Sequence, residues 1–167
     1  MQNFLNYLKF LLTATNQHGV HSPFVYNYVT KCLYSKSKYG KVRSLNILLK
    51  SIAYFKAERV WLPPQKDGIQ KEIRRIFPSL QFENGPYDVL FANPSEAEKL
   101  IRGTYEENKI HNTTLLLIDG IHANHTNLSF WKKITNHQKV TVSVDMFHCG
   151  AVFFRKEQAK EHFKIRI

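Results

Sequence analysis

The sequence predicts an α/β fold: a mostly parallel sheet with helices on both faces, closed by an antiparallel hairpin and preceded by a helical extension. Three observations predict it. Short apolar runs at "RVWL", "YDVLFA" and "TLLLI" alternate with segments whose apolar residues recur at helical spacing. "TLLLI" (114–118) is unbroken, as expected of a central parallel strand buried on both faces. The last two runs, "KVTVSV" and "AVFF", are joined by so few residues that they must lie antiparallel.

Each element has its own signal. Residues 3–14 carry Phe4, Leu5, Leu8, Leu11 and Leu12 at helical spacing. In "HSPFVYNYVTKCLY", Ser22 is placed to cap a helix and Pro23 suits its first position. A third helix is expected over 42–56, with Leu45, Leu48, Leu49, Ile52 and Phe55 inward. "RVWL" is then a short strand, and residues 68–77 a helix with Ile69, Ile73, Ile76 and Phe77 on one side. Asp67 followed by Gln70 resembles an N-cap arrangement. "YDVLFA" (87–92) is a strand, and "SEAEKLIRGTYEEN" a helix opened by a capping box of Ser95 and Glu98. "NLSFWKKI" is the last helix, with His125 near its start. Residues 1–56 form the helical extension and 57–167 the sheet-containing domain, together one compact unit. Trp61, Trp131 and the Phe153-Phe154 pair have core-like spacing and are expected to pack.

Composition bounds the function. The 167 residues are 43 % apolar and 13 % aromatic, a globular composition. Lys plus Arg is 24 against 13 for Asp plus Glu, a formal net charge of +11. Such an excess suits an anionic ligand, nucleic acid or an anionic membrane surface. The charges are spread along the chain, "KSKYGKVR" (36–43) being the densest run, and no nucleic-acid module is recognised. Cys32 and Cys149 form no metal or redox motif, which suits a reducing compartment. The opening "MQNFLNYLKFLLTATNQ" has no basic leader region, and Lys9 interrupts it. It is far shorter than the roughly 20 apolar residues of a membrane span, so a cytoplasmic protein is expected.

Two segments resemble a known family. They are "QHGVHSPFVYNYVTKCLY" (17–34) and "LLLIDGIHANHTNLSFWKKITNHQKVTVSVDMFHCGAVFFRKEQAKEHFKIR" (115–166), together roughly two fifths of the chain. Both are similar to class I S-adenosylmethionine-dependent methyltransferases, in particular a Bacteroidetes-type O-methyltransferase-like group. The resemblance implies a Rossmann-like domain. In that family the turn after the first strand is glycine-rich and cradles the cofactor's methionine, an acid after the second strand binds the ribose, and later strand ends flank the transferred methyl.

The corresponding positions depart from that pattern. The first turn is "LPPQKDG", leaving Gln65 and Gly68 as cofactor-binding candidates. Pro63 and Pro64 carry no amide protons, so two potential donors are missing. Glu83 in "QFENG" stands for the ribose-binding acid, and Asn93 ends the next strand in "FANP". "IDGIH" keeps Asp119 and His122 as catalytic candidates, His122 as a base toward a hydroxyl acceptor, but has Gly120 where a second acid is usual. The strand count is reduced as well. Three residues between Glu83 and Tyr87 reach roughly 10 Å, too little to span a strand and change position. Residues 80–84 are therefore expected to be a short edge strand, an antiparallel piece, or irregular.

The pairs His18/His21, His122/His125 and Asp145/His148 share a three-residue spacing, and each is expected to be structural or superficial rather than a metal site. Three functional expectations follow. The first is a methyltransferase-like protein that has lost S-adenosylmethionine binding and works as a binding or interaction protein, with no cofactor. The second is an active O-methyltransferase that binds S-adenosylmethionine through an atypical site. The third is a basic module for an anionic partner such as nucleic acid. The helical extension is expected to serve as a lid or a homodimer surface.

Overall fold

The structure, a computed structural model, describes residues 2–64, 66–103 and 109–167, with side chains for all of these except residues 2 and 3. Its centre is a six-stranded sheet in the order β1-β2-β3-β5-β4-β6. In chain order the elements are α1 (Gln2–Thr13), α2 (Pro23–Asn27) running on as a π-helical turn (Tyr28–Leu33), α3 (Arg43–Phe55), β1 (Val60–Trp61), α4 (Asp67–Ile76), β2 (Val89–Ala92), α5 (Pro94–Arg102), β3 (Leu115–Asp119), α6 (His125–Asn136), β4 (Val142–Asp145), β5 (Cys149–Phe153) and β6 (Glu161–Lys164). β5 is antiparallel to both of its neighbours, β3 and β4; the other pairings are parallel. The expected terminal hairpin is therefore β4–β5, and it folds back so that β5 inserts beside β3.

The two-residue period of the strands sorts the core into two layers. Val89, Phe91, Leu115, Leu117, Val142, Val144, Ala151 and Phe153 meet α2, α3 and α4 through Tyr28, Leu48, Ile52 and Ile73. Leu90, Ala92, Leu116, Ile118 and Val152 meet α5 and α6 through Leu100, Ile101, Trp131 and Ile134. β3 is buried on both faces, as its unbroken apolar run predicts. The first layer includes polar groups, each satisfied. Tyr28 is fully buried and its hydroxyl lies 2.9 Å from Ser51 Oγ. Lys50 donates to the carbonyls of Leu33 (3.0 Å) and Ser35 (2.7 Å), which lie at and just beyond the end of the π-helical turn.

Two caps differ from the sequence expectation. α5 is opened not by Ser95 but by Asn93, whose side chain accepts from the Glu96 amide while Glu96 accepts from the Asn93 amide, both at 2.9 Å. Two capping patterns overlap here, and Pro94 decides between them, because its fixed φ suits the first helical position. In α4 the cap position is Lys66, without a side-chain cap bond, and Asp67 is the first helical residue. Its carboxylate acts on the helix end as a nearby negative charge rather than as a cap. Ser22 and Pro23 open α2 as expected. Of the expected helix after β2, residues 104–108 lie outside the described residues, and α5 ends at Arg102 with Gly103 as its left-handed C-cap.

β6 is an addition that the sequence does not announce. It pairs parallel with β4, and just beyond it Ile165 bridges Thr15. Residues 80–84 reduce to a single parallel bridge between Gln81 and Arg59, on the outer side of β1. α4 covers one face on the way to that bridge and α5 covers the other face on the way to β3. The chain's progress across the sheet thus reverses at β1. Among the described residues no helix is long and apolar enough to cross a membrane.

Gly150 decides how α6 lies on the sheet. A Cβ there would sit 2.5 Å from two atoms of the Trp131 ring and 3.2 Å from Ile121 Cδ1. Both neighbours are buried, so the ring has no room to retreat. Gly150→Ala is expected to lower stability by about 1–3 kcal/mol, read as a lower urea midpoint at unchanged slope.

Candidate functional site

Ligands in open α/β sheets bind beyond the carboxyl ends of the strands, where the chain's progress reverses. Here that place lies after β1 and β2. Pro63 is buried and Pro64 exposed. Gln65 lies outside the described residues. Gly68 is exposed in the first turn of α4, with open space where a Cβ would be, so neither its backbone nor its surroundings require glycine. Asn93 is committed to the α5 capping box described above. Glu83 is exposed on the turn that follows the Gln81 bridge. That bridge consists of Val60 N–H to Gln81 O and Gln81 N–H to Glu58 O, both at 2.9 Å.

The second half of the site lies beyond β3 and β4. Asp119 ends β3, is half-buried, and its carboxylate makes no hydrogen bond among the described residues. His122 is not its partner. Instead His122 Nε2 lies 2.8 Å from Oδ2 of Asp145, at the end of β4. The imidazole stacks on Phe147, with ring centres 4.8 Å apart and planes 10° from parallel, and Phe10 of α1 meets it edge-on at 6.0 Å. Asp145 is buried and also accepts from the Phe147 amide at 2.8 Å. That bond shapes the hairpin tip, in which Phe147 takes φ +66. A left-handed residue with a bulky side chain costs roughly 1–2 kcal/mol. The packing of its ring against Tyr7, Phe10 and His122 offsets that cost. Gly120, at φ +70, turns the chain after β3 and donates from its amide to His148 O at 2.8 Å.

With Nε2–H donating to Asp145, Nδ1 of a neutral His122 is an acceptor that no described residue engages. Asp–His pairs of this kind fix a tautomer and orient a base. Burial pushes the thiol of Cys149, on the neighbouring strand β5, far above its ordinary range, which keeps it protonated and unreactive. His148 accepts at Nε2 from Arg43, 2.8 Å away, since guanidinium can only donate. Burial, then the Arg43 charge, lowers its pKa. Among the described residues no three His, Cys, Asp or Glu side chains converge as metal ligands. His18 and His21 are exposed, and His125 is the exposed first residue of α6.

A cleft of about 510 Å³ lies between α1 and the start of α6. It is lined by Lys9, Phe10, His122, His125 and Lys164 among others. Sequence reasoning reached His122 but missed Asp145 as its partner, since the pairing depends on β4 lying one strand beyond β5. Comparison of the chain with protein-family models, curated proteins and solved structures returned no match.

Two outcomes are expected. Gly68→Ala should stabilise the protein by about 0.5–1 kcal/mol in urea unfolding, because it removes backbone freedom from an exposed helical site. Burial is the largest cause of the lowered pKa values of His137, His148 and His162. The unfolded chain therefore binds more protons between those depressed values and the ordinary histidine value of about 6.5. Stability should rise with pH through that window and be lost as pH falls through it. Urea midpoints across the range check this, and His148→Asn should flatten the profile.

Proposed function

We propose that this chain is a reduced, methyltransferase-like Rossmann domain that no longer binds S-adenosylmethionine and works by binding a partner. The observation that carries this reading is the shrinkage of the second strand to the single Gln81–Arg59 bridge. A ribose-binding acid needs a strand end to hold it at the crevice, and Glu83 instead sits on an exposed turn. Three further features support it. Pro63 and Pro64 offer no amide donors at the first turn. Asp67, in the first turn of α4, sets a negative charge where the cofactor's own carboxylate would lie. Asn93 is engaged by its own helix.

A second reading, an O-methyltransferase with an atypical donor site, is favoured by the Asp119 carboxylate and the Nδ1 of His122, neither of which is hydrogen-bonded among the described residues. One experiment separates the two. Calorimetric titration with S-adenosylmethionine and with S-adenosylhomocysteine should give no saturable heat, and neither compound should raise the melting temperature. A saturable isotherm that Asp119→Asn abolishes would establish the second reading instead.

A further inference from the structure

α1 carries apolar residues on two adjoining faces. Phe10 and Ala14 are buried against Phe147, with Tyr7 and Leu11 packed beside them. Phe4, Leu5, Leu8 and Leu12 lie on the outside, 64, 47, 42 and 86 % exposed. The helix cannot roll to hide them. Tyr7 meets Phe147 edge-on at 4.9 Å, and just past α1 the Thr15 amide donates to Lys164 O at 2.8 Å while its carbonyl accepts from Arg166 N–H at 3.0 Å. A surface helix ordinarily turns one apolar stripe inward and polar residues outward, whereas from Phe4 onward the polar stripe of α1 is confined to Asn6, Lys9 and Thr13. A contiguous exposed apolar row marks an interaction surface.

The surroundings of the row are cationic. Lys9 belongs to α1 itself and lines the adjoining cleft together with His125 and Lys164. Lys164 reaches Thr13 Oγ1 at 3.5 Å. On the other flank Arg43 is bonded to His148, whose ring lies 5.9 Å from Tyr7. Among the described residues no acidic side chain lines the cleft. Two copies joined through α1 would bring these cations together, within a chain of net charge +11. An anionic surface complements them.

We propose that α1 docks this protein onto an anionic phospholipid membrane, with Phe4, Leu5, Leu8 and Leu12 in the headgroup–acyl boundary and Lys9, Lys164 and Arg43 facing lipid phosphates. The twelve residues of α1 span about 18 Å, which suits lying in the interface and is too short for a hydrocarbon core of about 30 Å. The proposal names a partner for the binding role above and rests on that role. Its test reads α1, whereas the cofactor titration reads the ends of β1 and β2, so the two can fail separately.

The experiment is sedimentation of the full chain with vesicles of phosphatidylcholine alone and of phosphatidylcholine mixed equally with phosphatidylglycerol. Partition onto the mixed vesicles is expected, weakening as salt is added. The double variant Lys9→Gln/Lys164→Gln should lower it about thirtyfold, from about 1 kcal/mol per surface cation. Leu8→Glu/Leu12→Glu changes only exposed positions and should abolish binding with an unchanged melting temperature. Soluble glycerol 1-phosphate should not displace the protein. Absence of partition, or equal binding to neutral vesicles that the lysine variant leaves unchanged, would overturn the proposal. So would a dimer in analytical ultracentrifugation that the leucine variant dissociates, or retention on duplex DNA in place of vesicles.

Discussion

The sheet is governed by a limit on reach. Gln81 lies outside β1 and β2 lies inside it, so the chain must cross two strand spacings, about 10 Å, between them. The eight steps from Gln81 to Val89 reach about 28 Å at most, enough for that crossing with a limited remainder. Both ends sit at the same level: Gln81 pairs with Arg59, and Val89 with Val60. Had the strand at Gln81 continued upward, the shortened remainder of the connection would have had to cross and descend as well. A short connection therefore favours a short pairing at Gln81.

The rest of the carboxyl end follows from that. With no full strand outside it, β1 needs only two residues, Val60 and Trp61. Asp88 compensates at the other end, accepting from the Glu58 and Arg59 amides at 2.8 and 2.9 Å and so fastening the start of β1 to β2. The weight of the structure moves toward β3, β5 and β4, where the pairing is longest. There the hairpin tip lifts Phe147 out of the sheet as a seat for α1.

Most of the fold was legible because its signals are local. The buried run of β3, the helical spacing in α3 and α4, and the short link between β4 and β5 each determine one element without reference to the others. What was not legible depends on neighbours. "EHFK" alternates half-buried and exposed residues and has Phe163 as its one large apolar side chain, so nothing marks it as a strand until β4 offers an edge. The Asn93 cap was hidden behind an equally good pattern at Ser95, and only the stiffness of Pro94 distinguishes them. Asp119 and His122 look like a pair because they are three apart in sequence. The turn at Gly120 sends His122 over β5 to Asp145 instead, and among the described residues no side chain hydrogen-bonds the Asp119 carboxylate.

That separation bears on why α1 sits where it does. In a doubly wound fold the carboxyl ends of the strands are the natural opening for a ligand, and an opening costs little when a ligand fills it. Here Asp145, His122 and Phe147 form a connected surface of one buried carboxyl group and two stacked rings, which in water would leave apolar faces exposed. Phe10 and Tyr7 cover those faces, and the bridge from Thr15 to Ile165 fixes the cover to the last strand of the sheet. The inner side of α1 is thereby explained by packing. Its outer row is not, since Leu12 at 86 % exposure contributes nothing to the fold and loses favourable burial by pointing outward. Burying that row is what the proposed docking would accomplish, and the cations beside it favour an anionic surface for it.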